Sequence, residues 1–140
     1  MKALPISSAL LLSILCVSGC QTTRQRLLDS DTSQVQLRTM QVRVFDTTDR
    51  IMTLRTIIAT LQDLDCVIDE ADDVLGSVSA TKLARYELRI TVTVRPRGES
   101  QTMIRVNLQA FNKPVHDPEP YQKFFATLEK AMFLTAQQVD

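Results

Sequence analysis

Tyr86-Glu87-Leu88-Arg89-Ile90-Thr91-Val92-Thr93-Val94-Arg95, then Pro96-Arg97-Gly98-Glu99-Ser100, then Met103-Ile104-Arg105-Val106-Asn107-Leu108-Gln109-Ala110, is the stretch that decides the fold. In the first segment Tyr86, Leu88, Ile90, Val92 and Val94 alternate with Glu87, Arg89, Thr91, Thr93 and Arg95, the period of two that puts one set on each side of a strand. The last segment repeats the pattern, with Ile104, Val106, Leu108 and Ala110 on one side and Met103, Arg105, Asn107 and Gln109 on the other. The Pro-Arg-Gly stretch between them is a turn, so the two strands pair as an antiparallel hairpin. Because only one side of each is apolar, the sheet is covered on one face and open on the other.

Upstream of this hairpin, Val74, Gly76, Val78 and Ala80 alternate with Leu75, Ser77, Ser79 and Thr81 and predict another strand. Asp69 to Asp73 reads as a turn, with Cys66 to Ile68 a short extended piece before it. Ile51, Leu54, Ile57, Ile58, Leu61 and Leu64 recur at helical spacing, with Asp46, Thr47 or Thr48 as cap and Arg50, Thr53, Arg55, Thr56, Thr60 and Gln62 in the remaining positions. Before that helix, Met40, Val42 and Val44 alternate with Gln41, Arg43 and Phe45 as a half-buried strand. Downstream, Asn112 to His116 connects to a last helix capped by Asp117, with Pro118 and Glu119 suited to its first turn. Its apolar stripe is Tyr121, Phe124, Phe125, Leu128, Met132 and Phe133. The expected fold is thus a single α+β domain over residues 39–140, in the order β-α-β-β-β-α. Its four-stranded antiparallel sheet carries two helices packed on one face.

The amino terminus has a different character. Met1 and Lys2 precede an apolar run from Ala3 to Val17, the size of a signal-peptide core and shorter than the roughly 20 residues a membrane span needs. Val17-Ser18-Gly19-Cys20 resembles the lipobox of bacterial lipoproteins. The resemblance implies a signal peptide at 1–19, cleavage before Cys20, and lipid on its thiol; fatty-acyl chains then hold the mature protein to a membrane through their buried methylenes. Gln21 rather than Asp follows the cysteine, which by resemblance to Gram-negative lipoprotein sorting implies the outer membrane, facing the periplasm. Residues 20–38 read as a lipidated tether, for Gln21 to Leu37 is polar and lacks sustained periodicity. With Cys16 discarded and Cys20 acylated, Cys66 is the mature chain's lone thiol, which excludes an internal disulfide and fits burial as a small hydrophobe.

Sixteen basic residues balance sixteen acidic ones, so no global charge draws the chain to nucleic acid. Trp is absent, which removes the usual stacking platform for single strands. His116 is the single histidine, so a multi-histidine metal centre is excluded and a histidine-based triad has little to build on. The acidic run Asp69, Glu70, Asp72 and Asp73 lacks the spacing of a calcium loop, and no nucleophile elbow or phosphate-cradling glycine loop occurs. No cofactor, metal or catalytic residue is expected, and the chain is not expected to be an enzyme.

The open sheet face is the candidate partner-binding surface. Arg43, Arg89, Arg95, Arg105 and Asn107 are its site residues, with Glu87 as the opposing charge, and arginine forks suit acidic groups. The element order over Met40 to Gln137 resembles the helix-grip modules of BamC-type envelope lipoproteins. Leu61-Gln62-Asp63-Leu64-Asp65-Cys66-Val67-Ile68 followed by Leu75-Gly76 resembles small Gram-negative lipoproteins. The resemblance implies a binding or scaffold accessory subunit of an envelope complex, with the membrane and an envelope protein as partners. The alternative is a carrier holding a small apolar ligand between the sheet and the C-terminal helix. That alternative requires a cavity of roughly 300 Å³ or more, lined by Ile90, Val106 and Phe125.

Overall fold

The computed structural model describes residues 33–137. The expected signal peptide, the expected lipidation site Cys20 and the expected tether as far as residue 32 lie outside the described residues. A helix, α1 (33–41), leads into β1 (Val42–Phe45), α2 (Arg50–Asp63), β2 (Val67–Asp72), β3 (Ser77–Leu83), β4 (Glu87–Arg97), β5 (Gln101–Ala110), β6 (Lys113–Pro114) and α3 (Pro118–Gln137). The four-stranded, two-helix reading is therefore overturned: the described residues hold six strands and three helices. The sheet runs β1-β5-β4-β3-β2 with β6 also on β5, and every pair is antiparallel.

The long hairpin is the centre of this sheet. Leu88 to Arg97 pair with Ala110 to Gln101 in unbroken register, so Ile90, Val92, Val94, Ile104, Val106 and Leu108 share one face and are buried. They form a single cluster with Leu54, Ile57 and Leu61 of α2 and Tyr121, Phe124, Phe125 and Leu128 of α3. Phe133, expected in the α3 stripe, is instead exposed.

Four local readings change. Residues 33–41 are helical where tether was expected as far as residue 38 and strand from Met40, and Leu37 is buried in the core cluster. In β1 the phase is inverted: Arg43 pairs with Ile104 and Phe45 with Thr102, so these two face the helices while Val42 and Val44 lie opposite Arg105 and Met103 on the open side. A one-residue change of register moves every side chain across the sheet. Arg43 tolerates the covered side because its guanidinium sits 5.0 Å from the Phe125 ring centre and Nη1 donates to Thr39 O and Val42 O.

The acidic stretch Asp69 to Asp72 is not a turn but most of edge strand β2, bulged between Ile68 and Glu70. Carboxylates and a bulge are how an unpaired sheet edge is kept from pairing further. The actual turn follows, with Asp72 Oδ1 accepting from Leu75 N at 2.8 Å and Gly76 at φ +67°. The fourth change is in α2. Asp49, not an earlier residue, is the N-cap, and the buried face carries Thr53, Thr56 and Thr60 while Ile51 is exposed. The three hydroxyls donate back to Asp49 O, Met52 O and Thr56 O, so each brings a methyl into the core with its polar atom already satisfied.

Two chain reversals use left-handed backbone without glycine. After α2, Asp65 has φ +61°, Cys66 N donates to Leu61 O and Asp65 N donates to Gln62 O, which is a Schellman termination. Between β5 and β6, Phe111 and Asn112 both have positive φ, 52° and 58°, in a two-residue loop closed by Ala110 and Lys113. Such loops favour Asn and Gly, and an aromatic side chain there costs about 1–2 kcal/mol.

Candidate functional site

The open face is assembled by cross-strand rows. Val42, Arg105, Thr93, Ser77 and Asp72 line up across five strands; Asn107, Thr91, Ser79 and Glu70 form the next row across four, and Gln109, Arg89 and Thr81 the one beyond across three. Arg89, Arg95, Arg105 and Asn107 are thus together on this side, Arg95 being opposite Met103. Arg43 is not among them, for the reason given above. The face is also less cationic than expected. Arg89 pairs with Glu87 at 3.2 Å, and the β2 edge contributes Glu70, Asp72 and Asp69, the last accepting from Thr81 Oγ1 at 2.7 Å. Its centre is a shelf of half-buried Ser, Thr and Asn side chains, with arginines at one margin and carboxylates at the other.

On the covered side lies a half-open cavity of about 340 Å³, between the C-terminal end of α2, the β3–β4 connection and the first turns of α3. Its floor is Leu64, Cys66, Leu88, Ile90, Leu108 and Phe124, and Ala84, Tyr86 and Pro120 form its walls. Lys82, Arg85 and Lys123 stand at the mouth with Asp117 and Glu119. Ile90 is shared with the expected cavity, but Val106 and Phe125 are not: both are packed in the core, and the space opens one step nearer the sheet's end, beside Leu108 and Phe124.

Each part of the cavity is held by a local device. The Schellman turn at Asp65 swings Cys66 inward, where burial pushes its thiol up from its ordinary value, with Lys82 opposing and Asp65 adding to the shift. Lys82 follows Ala80 on the inner side of β3 and its Nζ donates at 2.6 Å to Leu64 O, the carbonyl of the α2 C-cap; Asp65 lies 4.0 Å away. An ammonium has three donors, so this bond does not exhaust it. Asp117 Oδ1 accepts from Glu119 N at 3.0 Å and fixes the start of α3, which then sets Pro120, Lys123 and Phe124 along one wall. Tyr121 anchors the same helix through its hydroxyl, which donates to Val115 O at 2.9 Å.

The cavity can therefore enclose a slim apolar group and present cations to a polar end. Sequence reasoning missed Leu64, Lys82, Ala84 and Lys123 because four separate segments converge there, and none carries a motif. Among the described residues no three His, Cys, Asp or Glu side chains are placed to hold a metal ion. Among them also, no helix is long and apolar enough to cross a membrane. No family model matches the chain, and no curated protein matches it.

Proposed function

We propose that this chain is a non-catalytic lipoprotein of the bacterial envelope, tied by lipid at Cys20 to the outer membrane on its periplasmic side, that binds a small ligand under α3. The ligand class is an amphiphile with one slim apolar chain and an anionic end. The observation that carries this reading is the cavity of about 340 Å³, floored by apolar side chains, with three cations, Lys82, Arg85 and Lys123, against two carboxylates, Asp117 and Glu119, at its mouth. That volume falls within the ~300–1,000 Å³ typical of ligand pockets. The apolar chain would lie on Leu88, Ile90 and Phe124, and the anion would meet Lys82 or Arg85.

The test is titration with a fluorescent polyene fatty acid. Saturable binding at one site is expected, together with protection of Cys66 from maleimide. Ala84→Trp, at an exposed wall position where the larger side chain does not disturb the core, should abolish both effects. Binding that survives Ala84→Trp, or no saturable binding, refutes the proposal.

A second reading, an accessory scaffold that docks an envelope protein, draws on the uncovered sheet face and its Arg95 and Arg105. Reversing Arg89, Arg95 and Arg105 to Glu should then lose a crosslinked partner in membranes while leaving fatty-acid binding intact. Retention of the partner rejects it.

A further inference from the structure

Phe111 is the least economical residue in the described chain. It is 79% exposed, and it occupies the left-handed first position of a two-residue turn that glycine or asparagine would fill without strain. Nothing in the core requires it there. Its one ring partner is Tyr86, 5.7 Å away and itself 44% exposed, in the neighbouring β3–β4 connection. Leu83, 77% exposed, ends β3 just before that connection. Three large apolar side chains thus project from one end of the sheet, where strain is retained in order to display one of them.

The charges in these two connections narrow the occupant. Arg85, Arg89 and Lys113 flank the apolar tips, Arg89 paired with Glu87, and the adjoining cavity mouth adds Lys82 and Lys123 against Asp117 and Glu119, so cations outnumber carboxylates at this end. Aromatic and aliphatic tips interleaved with cations match the boundary of an anionic bilayer, where rings settle at headgroup depth and Lys or Arg meets phosphate. The patch is also continuous with the cavity mouth, since Ala84, Arg85 and Tyr86 belong to both.

We propose that this end of the sheet, led by Phe111, Tyr86 and Leu83, is a second membrane contact that seats the domain on an anionic lipid surface. It orients the cavity mouth toward the acyl chains from which a ligand would come. The inference rests on the anchored reading, because a tether keeps the domain beside a bilayer, and it is independent of whether the cavity binds anything.

The chain contains no tryptophan, so Phe111→Trp installs a sole indole at the contact, and Glu99→Trp installs one in the exposed β4–β5 turn as control. Both variants, full length and purified from membranes, are reconstituted into phosphatidylethanolamine and phosphatidylglycerol vesicles with brominated acyl chains. The proposal expects blue-shifted emission and strong quenching for the Phe111 variant, and neither for the Glu99 variant. Adding Arg85→Gln or Lys113→Gln should weaken the contact about fivefold for each cation removed. Equal quenching at the two positions, or none at residue 111, overturns it. So does a blue shift that depends on protein concentration in detergent, which would mean that a second copy covers the patch. Mass spectrometry of Cys20 on the same material reads the anchor separately, so its failure is distinguishable from failure of the contact.

Discussion

Gly76 and Gly98 offer a controlled comparison, since both lie in left-handed turns at nearly the same angle, φ +67° and +63°, and differ in what a side chain would meet. At Gly98 an added Cβ has nothing within 4 Å, so Gly98→Ala costs the backbone conformation alone. That cost is about 1–2 kcal/mol, and the stiffer unfolded chain returns ~0.4–1 kcal/mol, leaving a net loss near 0.5–1 kcal/mol. At Gly76 the Cβ would stand 2.8 Å from Val94 O, an atom of the central strand. The strand cannot step aside freely, because Val94 N donates to Gly76 O at 2.8 Å and the same movement would stretch that bond. Crowding of this kind adds about 1–3 kcal/mol, so Gly76→Ala should lose roughly 2–4 kcal/mol in all. Urea denaturation with unchanged m-values reads both, and thermal midpoints should separate the variants by several degrees. Equal midpoints for the two variants would refute the assignment of Gly76 as a steric contact with β4.

Cys66 and Tyr121 make stability fall on the alkaline side. Burial raises both groups, against Lys82 for the thiol and against hydrogen bonds involving Gln41 and Leu108 for the phenol. The folded state thus holds protons that the unfolded chain releases, so their contribution is complete below the unfolded values, about 8.5 and about 10, and is lost as pH rises through the folded ones. Cys66→Ala should flatten the decline that sets in above the unfolded thiol value of about 8.5, as read by urea midpoints at each pH; an unaltered slope contradicts it. Asp65→Gly should stabilise by about 0.5–1 kcal/mol, since glycine takes the left-handed α2 terminus without a Cβ penalty, and a lowered thermal midpoint would show that Asp65 acts chiefly through Lys82. Phe111→Asn should also raise the midpoint, by relieving about 1 kcal/mol of strain, while abolishing contact with vesicles; lower stability would place Phe111 among structural residues.

What could be read from the sequence depended on how many residues voted. The β4–β5 hairpin was legible because Leu88 to Val94 and Ile104 to Ala110 alternate apolar with polar residues, but its turn is shorter than Pro96 to Ser100: Pro96 and Arg97 pair with Thr102 and Gln101, and residues 98–100 reverse the chain. In β1 only four residues vote, and Arg43 misleads because an arginine stem can pack on Phe125 while its head finds carbonyls. The α2 stripe was displaced toward Ile51 because threonines that bond their own helix behave as apolar residues, which a polarity pattern does not reveal. β6 has two residues and no periodicity at all. The arginines of the open face could be named, but the carboxylates beside them could not, because Asp69 to Asp72 looks like a turn until the edge it protects is known. The cavity is space left between four segments, and no residue pattern encodes it.

The acid-bearing, bulged rim formed by β2 has a further consequence for a protein confined to a surface. If lipid holds the chain to a membrane, as proposed, one dimension of diffusion is removed and neighbours collide often and in similar orientations, conditions under which sheets tend to zip together into fibres. Carboxylates along one border repel the same border of the next molecule, and the interrupted ladder denies it a straight template. At the opposite border, β1 and β6 are four and two residues long, too brief to seed such growth. Replacing Glu70 with Val would weaken the repulsion while keeping the Asp72 turn bond, and should shift a crowded monolayer toward polymerisation.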